Sequence, residues 1–184
     1  ETALRLKEYF KTTYPDWTVR VFAKGRFALE SDAGEREALF DWASVSAEER
    51  EIISVTEPLA DWAKKHFPQD ECLIFVGSAG IAGRTIGPLA VSKKTDPAVL
   101  VVDDQLQYVI PILSGHLGGA NEIASRLADL AEAEAVLTTA TDVHQKLAPD
   151  VFARKNGLRI MDFTAAKLVA AALVRGETIT VYTD

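Results

Sequence analysis

Cysteine is almost missing from this chain of 184 residues: Cys72 stands alone, so no internal disulfide can form and stability has to come from packing. A single thiol fits a reducing compartment, and with no signal peptide in the sequence the expected location is the cytoplasm. The flanks of that thiol, Glu71-Cys72-Leu73-Ile74-Phe75-Val76, read as a strand, which makes it a core residue rather than a nucleophile. Long apolar runs are missing too. The most apolar stretch, Ala165 to Val174, is broken by Lys167 and stops at Arg175-Gly176, well short of the roughly 20 residues a spanning helix needs, so no membrane is expected. Nor is there a dense Lys/Arg cluster: 20 basic side chains stand against 27 acidic ones, a formal charge of −7, and a nucleic-acid backbone would find too few cations. Three histidines and one cysteine make no standard zinc pattern, and neither Gly-x-x-x-x-Gly-Lys-Ser/Thr nor Gly-x-Ser-x-Gly occurs, so no metal site, P-loop or serine-hydrolase elbow is expected.

What remains is ordinary globular composition, 48% hydrophobic and 26% charged, in a chain long enough for one large domain or two small ones. Residues 1–10 are already helical in period, with Ala3, Leu6, Tyr9 and Phe10 on one face. An α/β unit would ordinarily supply a strand before such a helix, and residues are expected to be missing upstream. Thr18 to Phe22 alternates as a short strand. From Ala23 to Val55 the pattern is least regular, with polar stretches at Glu30–Glu35 and Ser44–Arg50 that read as loops or short helices. A helix should start near Thr56, a good N-cap ahead of Glu57 and Pro58, and end at Pro68.

From there strands and helices alternate. Strands are expected at Cys72–Val76, Ala98–Val102, Leu106–Ile112, Ala135–Thr139, Leu158–Ile160 and Thr178–Tyr182, with Asp103-Asp104 as a hairpin turn. Helices are expected at about Ile81–Leu89, after Gly119 (with Ile123, Leu127 and Leu130 at helical spacing), at Pro149–Lys155 and at Thr164–Val174. Continuous apolar strands interleaved with helices imply a layered α/β/α fold with a largely parallel sheet. The expected boundary lies near Val55: residues 1–55 form a smaller, incomplete N-terminal α/β portion and residues 56–184 the main α/β domain.

Three strand-to-helix turns could carry chemistry. The first is Gly77-Ser78-Ala79-Gly80-Ile81-Ala82-Gly83-Arg84, where glycines allow a tight turn and helix-start amides could hold an anion. It lacks the dinucleotide fingerprint, and a merely tight turn with Arg84 in a local salt bridge explains it equally well. The second, Ser114-Gly115-His116-Leu117-Gly118-Gly119-Ala120-Asn121, sets a histidine among three glycines directly after an apolar strand; it is either a helix cap or a site where His116 titrates or donates a hydrogen bond. The third is Thr138-Thr139-Ala140-Thr141-Asp142-Val143-His144, where Asp142 orients a histidine or holds a substrate amide, or else Thr141 or Asp142 caps a helix. If the strands are parallel, all three turns open on the same side of the sheet. His66 reads as a cation at a helix C-terminus.

The second turn, together with Gly80 to Leu89, Thr95-Asp96-Pro97-Ala98-Val99 and Thr138 to Asp142, resembles the cobalt-precorrin-5A hydrolase family of anaerobic cobalamin biosynthesis, closely from Cys72 to Asp162. The resemblance implies an enzyme that opens the δ-lactone of a cobalt-corrinoid precursor and releases acetaldehyde during ring contraction. It implies no cofactor beyond the cobalt carried by the substrate. It also implies a further C-terminal domain, in the same polypeptide or as a separate partner chain; a homodimer is a further possibility. On that reading Gly80, Gly83, Arg84, Ser114, Gly115, Gly118, Gly119 and Asn121 bind the substrate's carboxylate arms and developing oxyanion. His116 then acts as general base or proton donor, with Thr141 and Asp142 orienting it or a substrate arm. A noncatalytic corrinoid-binding module and a nucleotide-binding α/β protein are the alternatives.

Overall fold

The computed structural model describes residues 2–24, 52–144 and 146–182. The polar stretches at 30–35 and 44–50 lie outside the described residues. The central strand is β4 (Ala98–Val102), and all five of its residues are buried. Its alternation divides the core: Ala98, Leu100 and Val102 pack with Ile123 and Leu127, while Val99 packs with Trp62, Phe67, Leu73 and Ile86. An apolar run on both faces therefore means a strand covered on both faces, and each fully buried aliphatic side chain contributes about 1.5–3 kcal/mol.

The elements around it are α1 (Thr2–Thr13), β1 (Val21–Lys24), β2 (Ile52–Val55), α2 (Leu59–His66), β3 (Cys72–Val76), α3 (Ala79–Ile86), β5 (Tyr108–Leu113), α4 (Ala120–Ala131), β6 (Glu134–Ala135), α5 (Ala140–Val143), α6 (Pro149–Lys155) and α7 (Phe163–Val174). Strand order in the main sheet is β3-β4-β5-β6, with a separate parallel pair β1-β2. Helices α1 and α4 cover one face and α2 and α3 the other, so the layered α/β/α architecture with a smaller N-terminal element is present. Leu6 and Phe10 of α1 belong to the same buried cluster as Leu100 and Val102. No helix among the described residues is long and apolar enough to cross a membrane.

The sheet is mixed, and one strand decides where a site can be. Strands β3 and β4 are parallel, β4 and β5 are antiparallel, and β5 and β6 are parallel again. The reversal is made by Asp103: its carboxylate accepts from the backbone N–H of Gln105, Gln107 and Tyr108 at 3.0, 2.8 and 2.6 Å, while Leu106 takes a φ of 58°. The bend after β3 and the bend after β5 consequently open at opposite ends of the sheet. This corrects the expectation that all three turns share one side: the hairpin at Asp103-Asp104 sends β5 back.

Other differences are local. The helix expected from Thr56 begins at Leu59, with Pro58 as its N-cap residue, and the first strand begins at Val21 rather than Thr18. Strand β2, inside the least regular stretch of sequence, pairs with β1 through Ile52–Val55. The strand expected at Ala135–Thr139 shrinks to Glu134–Ala135, because the chain turns away to start α5. Residues 158–160 and 178–182 form no strand. Each follows a helix closed by a left-handed glycine, Gly157 (φ 64°) or Gly176 (φ 85°), and neither reaches a sheet edge; Val181 and Tyr182 are 74% and 91% exposed.

Candidate functional site

Where β5 and β6 end, two bends and the start of α6 meet around His116. Ser114 leaves β5 with a φ of 55°; its buried hydroxyl donates to the Asp96 carbonyl at 2.9 Å, and its own carbonyl accepts from the Ala120 N–H. The glycines that follow are there for close approach. A Cβ at Gly118 would stand 2.5 Å from Ser114 Cβ, and one at Gly115 would stand 2.6 Å from Asn121 Oδ1. Gly119, at φ 82°, supplies the left-handed residue before α4. This tight coil points the imidazole back across the ends of α5 and α6.

His116 is held from both sides by carboxylates. Its Nε2 lies 3.0 Å from Asp142 Oδ2 and 3.1 Å from the Thr141 hydroxyl, and its Nδ1 lies 3.2 Å from Asp150 Oδ1. Asp142 Oδ2 also accepts from Asn121 Nδ2 at 2.8 Å and from the Thr139 hydroxyl, which in turn accepts from Asn121 Nδ2 at 2.6 Å. The His116 side chain is 15% exposed. A neutral imidazole would turn one lone pair toward a carboxylate oxygen, whereas an imidazolium donates to both.

The electrostatics agree. The Asp150 hydrogen bond, working against burial and with the help of Asp142, raises the His116 pKa above its ordinary 6.5. Asp150 is lowered from 3.8, first by its hydrogen bond from His116. Burial would raise Asp142, but the donors Thr139, His116 and Asn121 outweigh it and the net shift is downward. The raised histidine stabilises the fold fully below pH 6.5 and loses that contribution as pH rises through its native pKa; the lowered carboxylates contribute fully above 3.8 and lose it as pH falls through theirs. The cluster thus contributes most between about pH 4 and 6.5. Urea unfolding midpoints should fall as pH rises above about 6.5, and Asp150→Asn should flatten that fall by removing the larger support of the histidine charge. Equal slopes in the two proteins would contradict the assignment.

Beside His116 lies a cavity of about 120 Å³, walled by Lys93, Thr141, Pro149, Asp150, Phe163 and Lys167 among others. Its walls are tied in place. Asp96 accepts from the N–H groups of Val91 and Ser92 at 3.0 and 2.9 Å, shaping the loop that carries Lys93, and Lys94 Nζ sits 3.9 Å above the Phe163 ring of α7. Glu122 joins α4 to α6 through Arg154 at 2.6 Å. Neither Lys93 nor Lys167 has a carboxylate partner among the described residues.

Of the residues singled out in the sequence, His116, Thr141, Asp142, Ser114, Gly115, Gly118, Gly119 and Asn121 come together here. Gly80, Gly83 and Arg84 do not: they stand on α3, at the opposite end of the sheet, where the Gly77 N–H donates to the Val102 carbonyl. The amide of Gly119 is donated to the His116 carbonyl at 3.2 Å, and those of Ala120 and Asn121 to Ser114 and Gly115, so these three bonds close the turn instead of facing an oxyanion. His66 stacks on Trp62 and Phe22 and pairs with Asp70 at 2.9 Å. Burial pushes the Cys72 thiol up to about 12, in keeping with a core residue. Sequence reasoning missed Asp150, Lys93 and Lys167. Pro149-Asp150 carries only the signature of a helix start, and an isolated lysine in a loop or on a helix carries none.

Residues 61–142 match the family described as cobalamin synthesis G N-terminal, and residues 147–184 match the cobalamin biosynthesis central region. The His116 cluster spans the two, since Asp150 belongs to the second. A cobalt-precorrin-5A hydrolase of Salmonella typhimurium is 39% identical over 78% of this chain and 41% of its own length; one of Priestia megaterium is 41% identical over 59% and 29%. The chain thus spans less than half the length of these relatives. The crystal structure of a cobalamin biosynthesis protein G homolog from Sulfolobus solfataricus is 26% identical over 72% of this chain and 42% of its own, with a TM-score of 0.41, too low to transfer geometry. Through its N-terminal and central regions, the chain belongs to the cobalamin biosynthesis protein G family, that of the cobalt-precorrin-5A hydrolases.

Proposed function

We propose that this chain carries the lactone-opening site of a cobalt-precorrin-5A hydrolase, with His116 as the proton donor. The observation behind this reading is an imidazole held between two carboxylates, at the wall of a cavity bordered by two lysines without ion-pair partners among the described residues. Opening a δ-lactone adds water across the acyl C–O bond: the oxygen of water joins the carbonyl carbon and its surplus proton passes to solvent, from which the imidazole is later reprotonated, while that carbon releases the ring oxygen, which needs a proton. An imidazolium next to Thr141 can supply it. A general base would need a free lone pair on one ring nitrogen, and both nitrogens are occupied. The hydroxyl so formed can then lose its proton as the adjacent carbon–carbon bond breaks, releasing acetaldehyde and leaving a carbanion equivalent on the macrocycle to be reprotonated. Lys93 and Lys167 suit the acetate and propionate arms of the substrate, and an overall charge of −7 does not oppose this, because fields of distant exposed charges are screened within about 10 Å.

A second reading has its own support. Asp142 and Asp150 so fully occupy His116 that the cluster could serve as a clamp between the two family regions, in a module that binds the corrinoid while another domain does the chemistry. The test is the complete enzyme incubated with cobalt-precorrin-5A, following the delactonised product by mass and acetaldehyde by trapping; absence of both ends the hydrolase reading. In the same assay, replacing Lys93 and Lys167 together with alanine is expected to raise KM about tenfold with kcat changed less than about twofold. An unchanged KM would remove the lysines from substrate binding.

A further inference from the structure

Helix α6 carries Asp150, the carboxylate on His116 Nδ1, yet it has little of its own to hold it in place. Of its seven residues only Ala153 is buried. Apolar packing therefore does little to fix how α6 is turned or how far it slides along its neighbours. Two ion pairs toward α4 and the bend before it do that instead. Asp150 Oδ1 lies 3.2 Å from His116 Nδ1, and Arg154 Nη2 lies 2.6 Å from Glu122 Oε2. Both pairs cross from the N-terminal family region, residues 61–142, to the central one, residues 147–184.

Asp150 and Arg154 stand one helical turn apart, so both side chains leave α6 on the same face. One contact would leave the helix free to swing about it; two contacts a turn apart fix its rotation and its slide together. The second contact is itself seated. A Cβ on Gly119 would come 3.3 Å from Arg154 Nη1 and 3.9 Å from its Cζ, so the guanidinium lies over the bend in the space a side chain would take. Glu122 is held from its other side by Arg126 Nη2 at 2.8 Å, one turn along α4. Burial would raise the Glu122 carboxyl, but Arg154 and Arg126 outweigh it and hold it below the ordinary 4.5. The other carboxylate on the ring, Asp142, does not depend on α6: its further partners are Asn121 of α4 and Thr139, the N-cap of α5.

We propose that Arg154 is a positioning residue: by pairing with Glu122 across Gly119 it fixes α6 so that Asp150 meets Nδ1 of His116. Arg154 does not line the cavity beside His116, and it acts on the ring through Asp150. A pair whose side chains are 38% and 28% exposed adds little to global stability, so its contribution is read at His116 rather than in a melting curve. The placement of α6 stands apart from the proposed hydrolase function; the effect on turnover rests on that reading.

The test is a histidine-selective NMR titration of the complete enzyme, with the His116 signal assigned by its absence in His116→Ala. Among the described residues, the charged side chains around the ring are Asp142 of α5, Asp150 of α6 and, across the cavity, Lys93 and Lys167. Arg154 is a cation too, so if it acted through its charge alone, Arg154→Ala would raise the midpoint. Withdrawal of Asp150 from Nδ1 lowers it instead. Arg154→Ala should therefore move the His116 midpoint down toward 6.5, and adding it to Asp150→Asn should produce no further fall. Arg154→Lys keeps the charge and much of the reach and should restore most of the midpoint, while Arg126→Ala leaves α6 untouched and should not lower it. With cobalt-precorrin-5A, Arg154→Ala should lower kcat about tenfold, within the roughly 10²-fold that a misplaced catalytic group can cost, with KM little changed. A midpoint that rises or stays in place in Arg154→Ala, or one that falls equally in Arg126→Ala, overturns the inference. A lowered midpoint with unchanged turnover upholds the positioning role and counts against the proton-donor reading.

Discussion

Replacing His116 with alanine in the complete enzyme is expected to lower kcat for cobalt-precorrin-5A by about 10²- to 10⁴-fold, the span that a positioned proton donor ordinarily supplies. KM should change little, because the lysines that border the cavity remain. The size of the effect follows from the geometry. Asp150 and Asp142 both favour the charged form of the ring and raise its pKa, which favours a proton on the ring when the ring oxygen departs. Removal of the ring also leaves two partly buried carboxylates facing each other's former partner, so some loss of stability accompanies the loss of rate. The rate separates the two functional readings. If the folded variant turns over substrate within about threefold of the parent while its melting temperature falls, the histidine is a clamp and the chemistry lies elsewhere.

Asp142→Ala should be the most damaging single change to the fold of this end of the sheet, at about 3 kcal/mol. One oxygen of that carboxylate receives the His116 ring, the Asn121 amide and the Thr139 hydroxyl. These donors come from the bend after β5, the first turn of α4 and the N-cap of α5, so one carboxylate ties three chain segments together. Truncation takes one of two carboxylates from the His116 ring and one of two acceptors from the Asn121 amide, and leaves the Thr139 hydroxyl without its acceptor. Asp142→Asn keeps the volume but brings an NH₂ group among donors and removes the charge, and it should recover only part of the loss. Chemical unfolding monitored by tryptophan fluorescence measures both variants; a midpoint for Asp142→Ala within about 0.5 kcal/mol of the parent would show that the network contributes little.

How much of this could be read from sequence depends on the kind of signal each part carries. Continuous apolar character marks β4 as a central strand, and periodicity places α4 and α7, because burial on both faces or on one helical stripe leaves a pattern in single-residue polarity. The pairing of His116 with Asp142 was within reach, since both residues sit in polar turns after neighbouring strands. The sidedness of the turns is also legible in the sequence. The hairpin at Asp103-Asp104 already implies that β5 runs back, which moves the His116 bend away from the Gly77 bend. Asp150 had no such signal: behind Pro149 it looks like any first-turn acid, and its second role depends on where α6 docks. The short strands expected at 158–160 and 178–182 failed for a different reason. Three to five residues with strand-like composition form a strand only beside a free sheet edge, and edges are a property of the assembled fold.

The account rests on the charge of one ring, and a histidine-selective NMR titration of His116 reads it most directly. The ¹⁵N spectrum should show both ring nitrogens protonated below a titration midpoint that lies above the ordinary 6.5 and moves down toward it in Asp150→Asn. A ring that is neutral at pH 7, with one nitrogen bare and a midpoint at or below 6.5, would contradict the imidazolium and with it the proton-donor mechanism.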